Sequence, residues 1–241
     1  MAVGIICEYN PFHNGHKYHI EKTKLLFPDE EIVLVLNGYF LQRGEISILS
    51  KEDKTKLALK FGVDLVVELP LYYGIHSADI FSYGAILILN KLKVNKIVFG
   101  SESNDLKKLK KLALKDDPVL VKKYLKQGLS YPKAMGKIKN IDTPNDLLGI
   151  SYIKAINKIN PKIIPYSIKR TSEFHDNKSN NKIISASNIR NKLLSQTNIN
   201  NFVPSSILKY IKIISNEDLF LYLKYKILAE DNLDKYLLVN E

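Results

Sequence analysis

Three of the five histidines in this chain stand close together near its N-terminus, and their spacing suggests phosphate chemistry. His13 and His16 flank Gly15, after an apolar run that ends at Asn10-Pro11 and before a helical pattern. A helix N-terminus binds phosphate through its free N–H groups and its dipole, and a glycine there lets a nucleotide approach the backbone closely. Imidazoles can donate hydrogen bonds to phosphate oxygens and stabilise charge that develops at phosphorus. The stretch therefore predicts a site for the α-phosphate of ATP, with His13 and His16 as the catalytic pair.

Other uses of these residues have less support in the sequence. His13, His16 and His19 share a helix face and would suit zinc, but the group of nearby cysteines or carboxylates that completes such a site is missing. We therefore predict no metal site. No Gly-x-Gly-x-x-Gly follows the first apolar run, and no Gly-x-x-x-x-Gly-Lys-Ser/Thr occurs, which argues against a dinucleotide oxidoreductase and a P-loop NTPase. Cys7 ends an apolar run, so we interpret it as a packing residue rather than a nucleophile.

Arginine is scarce in this chain, although basic residues are abundant. Only three of the 36 basic residues are arginines, namely Arg43, Arg170 and Arg190. Where lysine is the default cation, an arginine marks a position that needs a planar, bidentate fork. Composition thus nominates these three residues as candidate anion-binding groups.

Five apolar runs are predicted to be strands, and helical patterns separate them. The runs do not alternate between apolar and polar residues, which is typical of parallel strands buried on both faces. They span residues 3–8, 31–36, 64–68, 96–99 and 162–168. Strands that alternate with helices imply βαβ units with right-handed crossovers. We therefore predict an α/β fold, a Rossmann-like doubly wound parallel sheet of about five strands, with helices on both faces and a helical C-terminal segment.

The predicted organisation is one catalytic domain followed by a helical segment. Residues 1–200 contain all the predicted strands, and about 104–142 form a lysine-rich helical insertion among them. Residues 171–182 have no hydrophobic period and are predicted to be a loop. The pattern of residues 201–241 is helical, and this segment is expected to begin a C-terminal region.

The unusual residues follow the predicted strands. His13 and His16 follow the first strand, Arg43 the second, Gly100 the fourth and Arg170 the fifth. Ligands of open α/β sheets bind beyond the carboxyl ends of the strands, which all lie at one edge. The agreement between these separate segments predicts a single site at that edge.

Charge and composition limit the class of protein. The formal charge of +11 favours polyanions such as nucleic acid, but genome composition could also produce a chain so rich in Lys, Ile and Asn, so charge alone leaves RNA binding open. The single cysteine excludes an internal disulfide. No run approaches the roughly 18 apolar residues of a membrane span, and the N-terminus lacks a basic secretory region. We expect a cytoplasmic protein that does not associate with a membrane.

Several motifs together resemble a known family. His13-Asn14-Gly15-His16 is similar to the HxGH signature of the nucleotidylyltransferase superfamily, and residues 184–190 resemble its second signature, ISSTxxR. The longer stretch from Glu8 to His16, taken with Gln42-Arg43-Gly44-Glu45 and the segments after the later strands, resembles the bacterial tRNA(Met) cytidine acetate ligase family. The resemblance covers residues 1 to about 195.

This resemblance implies a two-step reaction. Acetate attacks the α-phosphorus of ATP to give acetyl-adenylate and pyrophosphate, and the exocyclic amine of the wobble cytidine of elongator tRNA(Met) then takes the acetyl group. The implied cofactor is ATP, with Mg²⁺ carried by the nucleotide. The residues implied to contact ATP are Ile6, Cys7, Glu8, Tyr9, Asn10, Pro11, Phe12, His13, Asn14, Gly15, His16, Lys17, Tyr18, His19, Gly100, Asn145 and Arg170, with Ser185 and Arg190 holding phosphates. Arg43 is expected to close over substrate or to meet the tRNA.

Two alternatives stay open on the sequence alone. The superfamily signatures also suit a metabolic adenylyltransferase of the pantetheine-phosphate type, and an RNA-binding protein with a vestigial nucleotide site would keep the basic charge. Members of the family usually continue well beyond 241 residues with further helices. If those helices help to hold tRNA, this chain is expected to form acetyl-adenylate yet bind tRNA weakly.

Overall fold

A computed structural model describes residues 1–42, 44–115, 117–170, 183–213 and 216–236 of the chain. Arg43 and the predicted loop at 171–182 lie outside the described residues. Within the described ranges, no helix is both long enough and apolar enough to cross a membrane.

One parallel sheet of five strands forms the centre of the fold. Its strands are β1 (Ala2–Cys7), β2 (Glu31–Asn37), β3 (Leu65–Leu69), β4 (Lys96–Ser101) and β5 (Ile164–Lys169). The strand order is β3-β2-β1-β4-β5, and every neighbouring pair is parallel. This arrangement confirms the predicted doubly wound sheet. The fifth strand begins at Ile164 rather than at residue 162, because the Lys162 N–H donates to Oδ1 of Asn160 (3.1 Å) in the preceding turn.

Helices cover both faces of the sheet, as predicted. They are α1 (Asn14–Leu26), α2 (Lys51–Lys60), α3 (Leu71–Gly74), α4 (Ala78–Lys91), α5 (Leu106–Ala113), α6 (Pro118–Lys126), α7 (Tyr131–Lys139), α8 (Pro144–Ile159), α9 (Ala186–Leu194) and α10 (Asn216–Ala229). One core contains α4, α5 and α8, with Leu89 and Ile153 among its buried side chains. The other contains α1, α2 and α9, with Ile20 and Ile189. The apolar stripes of these helices therefore sandwich the sheet, which accounts for strands that are buried on both faces.

A glycine in β1 allows the sheet and α4 to approach closely. A Cβ atom on Gly4 would lie 2.7 Å from Cδ1 of Leu89 and 3.2 Å from Cγ1 of Val94. Gly4 also pairs with Val33 of β2 and Ile97 of β4, so β1 occupies the middle of the sheet. The loop that follows β1 and carries the clustered histidines is thereby placed at the centre of the carboxyl edge.

The lysine-rich insertion consists of α5, α6 and α7. Leu109 and Ala113 of α5 are buried in the core shared with α8, whereas α6 buries no residue. Lys139, at the end of α7, is itself buried and donates to the carbonyls of Leu112 (2.8 Å) and Lys115. Buried hydrogen bonds thus tie α7 to the end of α5, and α6 is left on the surface.

Residues after α9 support the loop that precedes α1. Ile199, Phe202 and Ile207 are buried in the core that contains α1. The Phe202 carbonyl accepts the Asn14 N–H (3.0 Å), and the Asn201 carbonyl accepts Nδ2 of Asn14 (2.9 Å). The segment beyond residue 200 therefore fixes the position of the first turn of α1.

Candidate active site

A cavity of about 220 Å³ opens at the carboxyl edge of the sheet. The ends of β1, β4 and β5 and the N-terminal turns of α1, α8 and α9 contribute to its walls. Many of the residues nominated by the sequence line it, namely Ile6, Cys7, Glu8, Tyr9, Asn10, His13, Gly15, His16, Tyr18, His19, Gly100, Asn145, Arg170 and Arg190. The structure thus brings together segments that are up to 184 residues apart in the chain, from Ile6 to Arg190.

The other nominated residues lie around this cavity rather than in its wall. Pro11 and Phe12 are buried beneath the loop, and Phe12 packs on Phe61 with ring centroids 4.9 Å apart. Lys17 is exposed and pairs with Glu21. Ser185 lines a second cavity of about 470 Å³, which shares walls with the first. Pro11 and Phe12 therefore support the site from the side of the core, and their apolar side chains account for this buried position.

His13 and His16 form a capping box at the start of α1. The Gly15 N–H donates to Nδ1 of His13 (2.9 Å), and the His13 N–H donates to Nδ1 of His16 (3.3 Å). Two N–H groups that have no partner within the helix are satisfied in this way. Because each Nδ1 atom is an acceptor, the neutral imidazole must carry its proton on Nε2. No described residue accepts either Nε2–H, so each histidine has a hydrogen-bond donor that a ligand can use.

Burial keeps all three clustered histidines neutral. It lowers the pKa of His13 to about 3 and that of His19 to about 4, and it lowers the pKa of His16 well below its ordinary value. The positive charge of Arg170 acts in the same direction on each of them. Nε2 of His19 lies 3.1 Å from the Val98 carbonyl oxygen. The His19 N–H therefore donates to that oxygen and is already used. Of the three, His13 and His16 are thus the rings whose Nε2–H groups have no hydrogen-bond partner within the described part of the chain.

Gly15 has a further role that the sequence did not reveal. A Cβ atom at this position would lie 2.7 Å from Cε1 of His13 and 3.3 Å from Cγ2 of Ile183. The glycine therefore leaves room for the His13 ring in its capping position, in addition to the predicted room for a nucleotide.

Arg170 supplies a partly buried cation beside the histidines. Its Nη1 atom donates to Oδ1 of Asn145 at 3.4 Å, which is a long hydrogen bond, and no carboxylate of the described residues lies within 4.0 Å of it. Burial lowers the pKa of Arg170, and the charge of Glu102 opposes this shift. A Cβ atom on Gly100 would lie 3.2 Å from Cγ of Arg170, so the glycine makes space for the stem of this side chain. An incompletely paired guanidinium in a cavity is suited to bind an anion.

Glu102 organises the side of the cavity that carries Arg170. Its Oε1 atom accepts Nδ2 of Asn145 (2.6 Å), and its Oε2 atom accepts the Asp146 N–H (2.9 Å). The carboxylate thereby caps the N-terminus of α8 and orients the Asn145 amide, whose oxygen faces Arg170. Glu102 therefore affects the cavity indirectly, because it holds the Asn145 side chain in place.

Arg190 links α9 to the two loops that follow β1 and β2. Its Nη1 atom donates to the Asn10 carbonyl (2.8 Å), and its Nη2 atom pairs with Oε2 of Glu45 (3.1 Å). Ser185 caps the same helix by accepting the Asn188 N–H at 3.2 Å. The guanidinium of Arg190 therefore already has an anionic partner, in contrast to that of Arg170.

Lys54 supports the loops beside the site, and sequence reasoning missed it. It is 0% exposed, and its ammonium group donates to the carbonyls of Asn37 (2.7 Å), Gly38 (2.6 Å) and Glu8 (3.2 Å). These hydrogen bonds connect the carboxyl ends of β1 and β2. The side chain lies on the buried stripe of α2 with Leu57 and Ala58, a spacing of three and four residues that would have indicated its burial.

The described lining residues include an unreactive thiol. Burial raises the pKa of Cys7 to about 12, against the opposing charge of Arg170. A thiol with this pKa stays protonated at neutral pH, and the thiolate is the nucleophilic form. This agrees with the interpretation of Cys7 as a packing residue.

Comparison with known proteins relates this site to a family. Residues 1–241 match the family described as HIGH Nucleotidyl Transferase. The chain is 40% identical to the tRNA(Met) cytidine acetate ligase of Mesomycoplasma hyopneumoniae, across all of this chain and 80% of that protein. It is 46% identical to the protein of the same name from Caldicellulosiruptor saccharolyticus, across 84% of this chain and 54% of the relative.

A solved structure leads to the same family. Thermotoga maritima TmcAL bound with alpha-thio ATP matches with a TM-score of 0.71 and 31% sequence identity, over 95% of this chain and 56% of that one. The chain spans about half the length of several proteins that it matches. The likeness in sequence extends over the whole chain and includes the strands and loops that build the cavity. The chain belongs to the tRNA(Met) cytidine acetate ligase family of HIGH nucleotidyl transferases.

Proposed function

We propose that this protein is an ATP-dependent acetate ligase that acetylates N4 of the wobble cytidine in elongator tRNA(Met). The observation that carries the proposal is the pair of neutral imidazoles, His13 and His16, beside the guanidinium of Arg170, with Nε2–H groups that no described residue accepts. Donors and a cation fixed in this way suit a phosphate on which negative charge increases during the reaction. The relatives named above, and the structure with an ATP analogue, support the choice of ATP and acetate as substrates.

In the first step, a carboxylate oxygen of acetate attacks the α-phosphorus of ATP, and the bond to the β-phosphate oxygen breaks. Acetate is a weak nucleophile, so the work of the site is to position it and to stabilise charge on the phosphate oxygens. His13 and His16 would donate through Nε2, and Arg170 would provide the positive charge that the neutral histidines lack. No side chain of the protein has to become covalently attached.

In the second step, N4 of cytidine attacks the acyl carbon of acetyl-adenylate, and AMP departs.

We propose that ATP is held by Ile6–His19, Gly100, Asn145 and Arg170, with Ser185 and Arg190 at the phosphates. Arg190 would reach a phosphate only if it exchanged part of its pairing with Glu45, which is 43% exposed at its side chain.

We further propose that Mg²⁺ enters with the triphosphate. Within the described ranges, no group of three or more His, Cys, Asp or Glu side chains is placed to hold a metal ion. Mg²⁺ keeps several waters and is commonly bound through substrate phosphates, which suits a site of this composition.

The proposed domain organisation follows the predicted boundaries. Residues 1–200 would form the catalytic domain, with the helical insertion at about 104–142, and 201–241 would form a helical segment whose first residues, such as Phe202, pack in the core of that domain. All the residues that line the first cavity belong to 1–200.

We propose elongator tRNA(Met) as the acceptor and the cytoplasm as the location, because tRNA is modified there. The exposed lysines of α5 and α6 give the insertion a basic surface that is suited to RNA.

Exchange of labelled pyrophosphate into ATP tests this function. The expected result is exchange that depends on acetate. Exchange that depends instead on pantetheine phosphate would identify a metabolic adenylyltransferase, and the absence of exchange with either acceptor would contradict catalysis at this site. Formation of N4-acetylcytidine in elongator tRNA(Met), measured by mass spectrometry of digested tRNA, then tests the acceptor.

A further inference from the structure

We propose that Glu8 is the general base that takes the proton from N4 of cytidine during acetyl transfer. This inference rests on the proposed function and assigns a role in its second step. Glu8 lies in the wall shared by the first cavity and the second, larger cavity beside it. A group in this position faces both the phosphate site and the space from which an acceptor can enter.

The transfer step produces a proton that must be accepted. The N4–C bond forms and the acyl C–O bond to the phosphate of AMP breaks, with AMP leaving with the electron pair. One of the two N4 protons is lost as the amide forms. The first step produces no proton, because a carboxylate attacks phosphorus. A base is therefore needed for the second step alone.

The histidines are unsuited to accept this proton. Nδ1 of His13 already accepts the Gly15 N–H, and Nδ1 of His16 accepts the His13 N–H. Their Nε2 atoms carry the protons of the neutral rings and can only donate. Both rings are thus committed to stabilising negative charge.

Glu8 is the one carboxylate among the described residues that line the first cavity. Its Oε1 atom accepts the Gln42 N–H at 2.8 Å, which fixes the side chain, and within the described part of the chain its Oε2 atom has no hydrogen-bond partner. Glu45 is the other carboxylate of the second cavity, but it is paired with Arg190. The free oxygen of Glu8 can therefore accept a proton while the other oxygen holds its position.

The charges around Glu8 are suited to this role. Burial raises its pKa above the ordinary value, and the negative charge of Glu45 acts in the same direction. The Gln42 N–H and the cations Lys54, from α2, and Arg190, from α9, oppose the shift. A carboxylate whose pKa lies closer to neutrality is a more effective base at neutral pH.

His76 is the rival base, because it also lines the second cavity. It is absent from the wall of the first cavity, where the acyl group must form. Its Nε2 atom is buried without a hydrogen-bond partner among the described residues. The position of Glu8 between the cavities therefore favours Glu8, and a His76 variant belongs in the test.

The test compares Glu8→Gln with the wild-type chain in both half-reactions. Glutamine keeps the shape and can still accept the Gln42 N–H, so the fold should be retained. Because Glu8 belongs to the stretch proposed to hold ATP, both half-reactions are measured at saturating ATP, and the readout is the loss of transfer relative to the loss of acetate-dependent pyrophosphate exchange. Formation of acetohydroxamate with hydroxylamine, a strong nucleophile that needs little help from a base, should fall by no more than exchange does. Single-turnover transfer to elongator tRNA(Met) should fall by about 10²–10⁴-fold more than exchange, the usual contribution of general acid–base catalysis.

The pH dependence of transfer gives a second readout. The wild-type rate should rise with pH until Glu8 is ionised and then level off, whereas the Glu8→Gln rate should lack this rise. Glu68→Gln is the matched control, because Glu68 lies one residue before the end of β3 at the same edge but pairs with Lys51 outside both cavities. It should retain both half-reactions.

Each other outcome has a defined meaning. Transfer that survives in Glu8→Gln, or is lost in His76→Gln instead, would overturn the assignment. Loss of exchange and of transfer by the same factor in Glu8→Gln would also overturn it, since Glu8 would then act only in ATP binding or in the first step. A wild-type chain without acetate-dependent exchange would contradict the proposed function itself. A wild-type chain that exchanges but does not acetylate tRNA would overturn the proposed acceptor and the role of Glu8 together.

Discussion

Nδ1 of His16 accepts the backbone N–H of His13 at 3.3 Å, so the second histidine of the pair holds the first in place. Nδ1 of His13 in turn accepts the Gly15 N–H at 2.9 Å. This reciprocal capping fixes the tautomer of both rings and leaves an Nε2–H donor on each of them at the start of α1. One pair of hydrogen bonds thus connects the local stability of the helix to the chemistry of the cavity.

Substitution of His16 by alanine should separate these two contributions. The loss of one fixed donor is expected to reduce the pyrophosphate exchange rate by about 10²–10³-fold. The loss of one cap should lower the free energy of unfolding by about 1 kcal/mol. Ser50→Ala is a matched control, because Ser50 caps α2 by accepting the Asp53 N–H (3.0 Å) away from the cavity. It should cost similar stability and leave exchange intact. Retained exchange in His16→Ala would place the catalytic donor elsewhere.

Replacement of Arg170 by lysine should weaken ATP binding about tenfold, equivalent to about 1.4 kcal/mol. A lysine retains the charge but loses the planar fork that can hold two oxygens at once. Isothermal titration of the nucleotide measures this effect directly. An unchanged dissociation constant would refute the argument that scarce arginines mark bidentate sites, at least at this position.

Replacement of Lys54 by methionine should destabilise the fold by about 2–4 kcal/mol. The substitution leaves buried carbonyls at the ends of β1 and β2 without a donor, and each such group costs about 1–3 kcal/mol. Urea denaturation measures the loss. Lys56→Met is the control, because the Lys56 side chain is 67% exposed and should change stability by less than about 0.5 kcal/mol. Equal stability of the two variants would contradict a structural role for the buried ammonium.

The free energy of unfolding should fall as the pH falls below about 6.5. The folded pKa values of His13 and His19, about 3 and about 4, are lower than the ordinary 6.5, so the unfolded chain binds more protons in this range. Stability is therefore fully present above pH 6.5 and is lost toward pH 4, by at most about 1.4 kcal/mol per pH unit for each histidine. The raised pKa of Glu8 has the opposite effect on the pH dependence of stability. This single group is outweighed by the three histidines whose pKa values are lowered. Urea titrations at several pH values measure the slope, which should become shallower in His19→Gln. A flat profile would contradict the neutral state of the rings.

Much of the fold could be predicted from the sequence, because its strands are continuous apolar runs and its helices are bounded by clear breaks. The strand order then places the ends of β1, β4 and β5 at one edge, and this is why His13, Gly100 and Arg170 meet. Their convergence follows from topology, so no knowledge of individual side-chain positions was needed.

The parts that could not be predicted depend on particular contacts. The Nδ1 atoms of the histidines bond to the backbone, and no pattern of residue types specifies a tautomer. Lys54 is one of many lysines, and its burial depends on carbonyls that two distant strands present to it. The pairing of Arg190 with Glu45 joins residues that are 145 positions apart, which no local motif specifies.

Transfer of oxygen from acetate to AMP is the most direct test of the central claim. The chain is incubated with ATP, with hydroxylamine as the acceptor, and with acetate that carries ¹⁸O in its carboxylate. The mass of the AMP product is then measured by mass spectrometry. If acetate attacks the α-phosphorus at the His13–His16 site, each AMP carries one heavy oxygen and the pyrophosphate carries none. AMP without the label, or no AMP that depends on acetate, would contradict the account.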